Sequence, residues 1–98
     1  MCGFLGAADF ERGINWIYPA LQKGLVAMGH RGPDGSKELN FDKVYLGHNR
    51  LSIIDLSAEA DQPFKSRNSD AYIIFNGEIY NYKELKKELS TTHFYTNS

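Results

Sequence analysis

The chain lacks the features that mark several common protein classes. Its 98 residues contain one cysteine, which excludes a disulfide framework and a zinc site made of several cysteines. No apolar run approaches the roughly 20 residues that cross a bilayer. A formal net charge of −1 gives no electrostatic reason to expect a nucleic acid or a membrane as partner. No secretory signal is recognisable at the N-terminus, so we expect a protein of the reducing cytoplasm.

The common metal and phosphate motifs are also missing. The sequence has no HExxH, CxxC or GxxxxGK[ST], and its three histidines have no ligand spacing, so we expect no metal. His30 and Asp34 are a candidate catalytic or metal pair within "HRGPDG". The glycines and proline around them favour a structural turn, in which Asp34 accepts hydrogen bonds from backbone N–H groups.

Strand and helix patterns are both present and predict an α+β or layered α/β fold. Apolar residues at helical spacing predict helices over residues 14–28 and 81–89, with Asn15 and Asn81 as N-caps and Gly29 at the C-terminus of the first. The turn-rich stretch 30–36 follows that helix, and residues 61–64 read as a loop. Strands are predicted over residues 2–8, over two segments of 43–56 around His48–Arg50, over 71–77 as a buried strand, and from residue 93.

The position of the single cysteine suggests a chemical role. Removal of Met1 would leave Cys2 with a thiol and a free α-amino group on one residue. That amine has a pKa of about 7.7–8.0 and is a usable base near neutral pH, so it can take the thiol proton during attack. The alternative is an inert small hydrophobic residue, which is common for buried cysteines.

Acyl transfer from a carboxamide also needs an oxyanion hole and a substrate handle. Asn76 and Gly77 offer a side-chain amide and a backbone N–H at one turn, although Asn-Gly is also a common hairpin turn. Arg50 is suited to a substrate α-carboxylate, and its alternative is a surface salt bridge. Glu78 suits a substrate ammonium or is simply a solvated carboxylate.

Five blocks in this order resemble one family. The chain is similar to the glutaminase domain of glutamine-hydrolysing asparagine synthetases, which are class II glutamine amidotransferases with the N-terminal-nucleophile hydrolase fold. The resemblance runs from Cys2 to the last residue. The blocks that carry it are "MCGF", "HRGPDGS", "GHNRLSIIDLS", "QPF" and "FNGEIYNYKELKKEL".

The resemblance implies a fold, a reaction and a role for each candidate residue. The fold would be a layered α-β-β-α arrangement, of which residues 1–98 form about the first half, with no second domain in this chain. Cys2 would be the nucleophile and form a thioester with release of ammonia. Asn76 and Gly77 would form the oxyanion hole. L-glutamine would be bound by Arg50, Leu51, Ser52, Ile53, Ile54, Asn76, Gly77 and Glu78.

The resemblance also implies what lies outside these residues. In the family, an aspartate that grips the substrate ammonium follows the segment resembling "FYTNS", and this chain ends at Ser98. Ammonia would pass to a synthetase domain that uses ATP and magnesium, and no cofactor is expected in this chain. An oligomer is compatible with the sequence. The alternatives are a glutamine-binding or partner-completed fragment without catalysis, an amidotransferase for another carboxylate, and a structural domain with an incidental Cys2.

Overall fold

The computed structural model describes residues 2–52 and 60–89, and these residues form a mixed α/β structure with antiparallel sheets. The cis peptide bond Gln62–Pro63 lies in the loop before β4. No helix within these ranges is long and apolar enough to cross a membrane. The elements in chain order are β1 (Gly3–Ala8), α1 (Tyr18–Ala27), a 3-10 turn (Gly29–Arg31), β2 (Gly35–Asn40), β3 (Val44–Arg50), β4 (Phe64–Lys65), β5 (Tyr72–Ile73) and α2 (Tyr82–Glu88).

The main sheet has three antiparallel strands with β3 in the centre. The strand order is β1-β3-β2, and Gly47 of β3 lies opposite Leu5 on one side and Glu38 on the other. Strands β4 and β5 form a separate two-residue ladder. Strand β3 is paired on both sides along its length, and the predicted site residues Arg50, Leu51 and Ser52 lie at or just after its C-terminal end.

The hydrophobic core lies between α1 and one face of the main sheet. Tyr45 of β3 is fully buried and packs with Ile14 and Leu21. Its ring meets Tyr18 edge-on, with ring centroids 5.9 Å apart. Side chains alternate between the two faces of a strand, so Tyr45 and Leu5 face the helix while their neighbours face away.

The opposite face of the sheet is more open. Phe41 stacks with Tyr72 at 4.8 Å between ring centroids, and the two line an open groove of about 490 Å³ with Val44 and Leu46. Phe4 on this face is 48% exposed. None of the predicted site residues lines this groove.

The helix predicted over residues 14–28 begins later than expected. Its N-cap is Ile17 and its C-cap is Met28, so Gly29 starts the 3-10 turn. Asn15 does not cap the helix, because its side chain donates to Asp42 and accepts from Asn40. The second helix does begin after Asn81, but without a hydrogen bond from that side chain.

Two strand predictions are wrong in detail. His48–Arg50 does not separate two segments but ends β3, since Asn49 pairs with Gly3 on one side and Arg50 with Gly35 on the other. The buried strand predicted over residues 71–77 is reduced to β5, because its partner β4 has only two residues. It is not buried, since Ile73 is 54% exposed.

Some predictions fall outside the described residues. The second segment of the predicted strand pair, residues 53–56, lies there, and so does the strand predicted from residue 93. Strand β2, by contrast, was not predicted from the sequence, and Phe64 of the predicted loop begins β4.

Glu38 of β2 accepts hydrogen bonds from the hydroxyls of Tyr18 and Tyr45, the latter at 2.7 Å. The Tyr18 hydroxyl is the main reason that the pKa of Glu38 lies below its usual value. The carboxylate therefore stabilises the fold above the unfolded pKa of about 4.3, and this contribution is lost as pH falls through the lower folded pKa. We expect Glu38→Gln to lower the free energy of unfolding by about 1 kcal/mol at pH 7.

Urea unfolding at pH 7 and pH 3 checks this expectation. The difference between wild type and Glu38→Gln should shrink at pH 3, whereas the exposed Glu11→Gln should show little difference at either pH. An equal loss from Glu38→Gln at both pH values would contradict a role of the charge.

Candidate functional site

Cys2 lies at the end of β3, just before β1 begins. The Leu51 N–H points at the Cys2 Sγ at 3.3 Å, and the thiol lies 3.8 Å from the Leu51 carbonyl oxygen. These two contacts to the Leu51 backbone fix the position of the Cys2 side chain. The half-buried free thiol is therefore adjacent to a residue predicted to line the substrate pocket.

The segment Gly32–Asp34 packs against the end of β3. A Cβ on Gly32 would lie 2.2 Å from the carbonyl carbon and oxygen of Asn49, so only glycine fits there. Pro33 forms a parallel bridge with Arg50, and the Asp34 N–H donates to the Arg50 carbonyl at 2.9 Å. This segment therefore fixes the backbone from which the Arg50 side chain projects.

Two charged side chains next to this segment bind the neighbouring backbone. Asp34 Oδ2 accepts from the Ser52 N–H at 2.8 Å, and Arg31 Nε donates to the Cys2 carbonyl at 3.2 Å. His30 Nδ1 lies 3.2 Å from the carbonyl of the last residue of α1. Asp34 thus accepts from a backbone N–H, as the structural interpretation expects, but from Ser52 rather than from within the turn.

Arg50 is a buried arginine with a carboxylate partner. It is 8% exposed, and its Nη1 lies 2.7 Å from Asp61 Oδ1. The salt bridge that the alternative predicts is present, but the Arg50 guanidinium is largely buried rather than on the surface. A buried, held guanidinium is pre-organised to bind a second carboxylate.

His48 is a buried histidine on the same face of β3 as Arg50. Burial lowers its pKa, although the Phe75 backbone and the Asp61 carboxylate favour the charged form. Neither ring nitrogen has a hydrogen-bond partner of normal geometry among the described residues. At neutral pH the ring is therefore neutral and adds no positive charge beside Arg50.

The candidate oxyanion turn follows β5. The Phe75 N–H donates to Gln62 Oε1 at 2.5 Å. Asn76 is half-buried, while Gly77 and Glu78 are exposed. A Cβ on Gly77 would lie 2.7 Å from the end of the Phe75 ring, which is 43% exposed and would have to shift.

The structure brings together part of the predicted site. Cys2, Arg50, Leu51 and Ser52 share the end of β3. Within the described ranges no hydrogen bond or ion pair joins Cys2 to residues 76–78, and Ile53 and Ile54 lie outside those ranges.

Sequence reasoning missed Asp61 and Gln62 as residues that contact the site. Gln62 belongs to the block "QPF" that carries the resemblance, but the sequence assigns it no role. No local sequence pattern identifies Asp61 as a site residue. Across residues 2–52 and 60–89 the structure has no group of three His, Cys, Asp or Glu side chains close enough to hold a metal ion.

The whole chain, residues 1–98, matches the family described as the glutamine amidotransferase domain. The chain belongs to this family. Its relatives include asparagine synthetase [glutamine-hydrolyzing] 1 of Lotus japonicus, which is 39% identical over all of this chain and 17% of that protein. The nodule asparagine synthetase of Pisum sativum is 43% identical over 98% of this chain and 16% of that protein.

The resemblance to asparagine synthetases is thereby confirmed. A further relative is the amidase chyE of Penicillium rubens, 38% identical over 76% of this chain and 11% of that protein. The chain thus spans about a sixth of the length of the synthetases it matches.

Proposed function

We propose that this chain is the glutamine-hydrolysing part of an asparagine synthetase. The observation that carries the proposal is the Cys2 thiol, held by the Leu51 backbone at the end of the strand that bears buried Arg50. A nucleophile and a carboxylate handle on one strand end are the two groups that a small amino-acid amide requires.

The reaction proceeds through a thioester on Cys2. Loss of Met1 exposes the Cys2 amine, which takes the thiol proton as sulfur attacks the side-chain amide carbon of glutamine. The carbon–nitrogen bond breaks, and the proton goes to the leaving nitrogen as ammonia departs. Water then attacks the thioester, so that glutamine and water give glutamate and ammonia and restore the thiol.

The substrate is held at both ends in this proposal. Arg50 binds the α-carboxylate, and the backbone of residues 51–54 lines the same pocket. Glu78 assists with the ammonium group. Asn76 and Gly77 donate to the oxygen that becomes negative in the tetrahedral intermediate, where such donors act most strongly.

The wider protein belongs to the proposal as well. The chain forms about the first half of a layered α-β-β-α glutaminase domain, and its ammonia serves a synthetase domain in the cytoplasm. In this proposal ATP and magnesium bind to that domain, as the resemblance to asparagine synthetases implies.

A second candidate is an amidotransferase that uses the same ammonia for another carboxylate. The chain is also similar to a protein named as an amidase rather than as an asparagine synthetase, which supports this second candidate. Glutamine hydrolysis is common to both candidates, and asparagine formation from aspartate and ATP by the complete gene product separates them.

Intact mass of the complete gene product, before and after a diazoketone analogue of glutamine, tests the proposal. We expect a starting mass short by one methionine and a single adduct on Cys2, which excess glutamine prevents. Acetate at the same concentration is the control and should not protect. Retained methionine with no adduct would contradict the proposal.

A further inference from the structure

Two consecutive half-buried residues contact two separate parts of the proposed site. Asp61 Oδ1 pairs with Arg50 Nη1 at 2.7 Å, and Gln62 Oε1 accepts from the Phe75 N–H at 2.5 Å. The first contact reaches the proposed carboxylate handle. The second reaches the residue before Asn76, where the proposed oxyanion turn begins.

The Gln62 contact matters because the sheet does not hold this turn. Strand β5 ends at Ile73, and residues 76–78 make no hydrogen bond within the described part of the chain. The Phe75 N–H bond to Gln62 therefore ties the start of the turn to another segment, and buried His48 lies beside the same Phe75 backbone. Without the Gln62 acceptor, the Phe75 peptide plane would be free to rotate. This plane sets the direction of Asn76 and Gly77.

The position of the oxyanion donors in this turn affects the rate of the chemical step more than it affects substrate binding. Oxyanion donors act on charge that develops in the transition state, and removing one costs about 10²–10³-fold in kcat. A displacement of about 1 Å far from the reacting atoms can cost about 10²-fold. The α-carboxylate contact through Arg50, by contrast, acts equally on bound substrate and transition state.

We propose that Gln62 is a positioning residue for glutamine hydrolysis, whose side-chain oxygen fixes the Phe75 amide and thereby aims Asn76 and Gly77 at the oxyanion. This inference rests on the proposed function. Gln62 touches no reacting atom. It acts through the backbone of the turn.

Three variants of the complete gene product separate this role from a general effect on folding. Gln62→Met keeps the length of the side chain but has no oxygen acceptor, whereas Gln62→Glu keeps an acceptor at the same distance. Gln22→Met is the matched control, since Gln22 is exposed and bonds Tyr18 and Glu38, neither of which has a role in the proposed site. Rates are expressed per Cys2 that the diazoketone analogue labels, so an unfolded fraction does not count.

For Gln62→Met we expect kcat to fall at least about tenfold while KM changes less than about threefold. Gln62→Glu should recover most of kcat, and Gln22→Met should match wild type. Deuterium exchange of the peptide containing Phe75 should lose the protection of one amide in Gln62→Met only.

An unchanged kcat in Gln62→Met, or a rise in KM alone, would overturn the inference and leave the proposed function standing. A wild-type protein that neither labels nor hydrolyses glutamine would overturn the proposed function. Unchanged exchange at Phe75 in Gln62→Met overturns the positioning role whatever the activity.

Discussion

Cys2→Ala is expected to abolish glutamine hydrolysis, with a fall in kcat on the order of 10⁴-fold or more. The variant loses the only thiol of the chain, and the hydroxyl of neighbouring Ser52 is a far weaker nucleophile than a thiolate. Losing a covalent nucleophile typically costs on the order of 10⁶-fold in comparable enzymes. Steady-state release of glutamate, measured with a coupled dehydrogenase, checks the result.

The same variant should still bind glutamine. The Cys2 sulfur contacts the Leu51 backbone at 3.3 and 3.8 Å, whereas the Arg50 guanidinium is paired with Asp61, so loss of the thiol leaves Arg50 in place. Calorimetry with glutamine should give a Kd within about threefold of the KM of the wild type. Activity that survives in Cys2→Ala would instead show that the cysteine is incidental.

Gly32→Ala is expected to be the most damaging small substitution at the site. A Cβ there would lie 2.2 Å from the Asn49 carbonyl carbon and oxygen, and 2.5 Å from the Arg50 nitrogen. The segment must move off the end of β3 to accept it, and overpacking of this kind costs about 3 kcal/mol. Thermal or urea unfolding measures the loss, and labelling of Cys2 should slow along with it.

Gly29→Ala is the matched control for that substitution. Nothing lies within 4 Å of a Cβ at Gly29, and its φ is not in the left-handed region. We expect a change within about 0.5 kcal/mol, since an alanine also restricts the unfolded chain. Equal losses at both glycines would indicate a backbone effect rather than contact with β3.

The fold was predictable where local pattern and tertiary context agree. Strand β1 was predicted from its apolar residues, and α1 from its periodic leucines. Strand β2 was missed because its segment is largely polar, "GSKELN", and becomes a strand only by pairing with β3. The start of α1 was wrong because Asn15 is used in a long-range hydrogen bond to Asp42.

The site was predictable for the residues whose chemistry is unusual in itself. The sequence identifies Cys2 by its position and Arg50 by its place between polar and apolar neighbours as candidate site residues. The structure places both at the same end of β3. The sequence does not identify Asp61 and Gln62 as site residues, because acidic and amide side chains are common in loops. Their partners are 11 and 13 residues away, so only the folded chain shows them.

The ion pair between Arg50 and Asp61 has a consequence for selectivity. In the resting protein the cation already faces a carboxylate at 2.7 Å, so its field is largely cancelled before any ligand arrives. A simple anion such as acetate or phosphate gains little from such a site. In the proposed function, glutamine would add contacts at its ammonium group and its amide that such anions lack. The ion pair would then favour glutamine over simple anions while lowering the affinity of Arg50 for both.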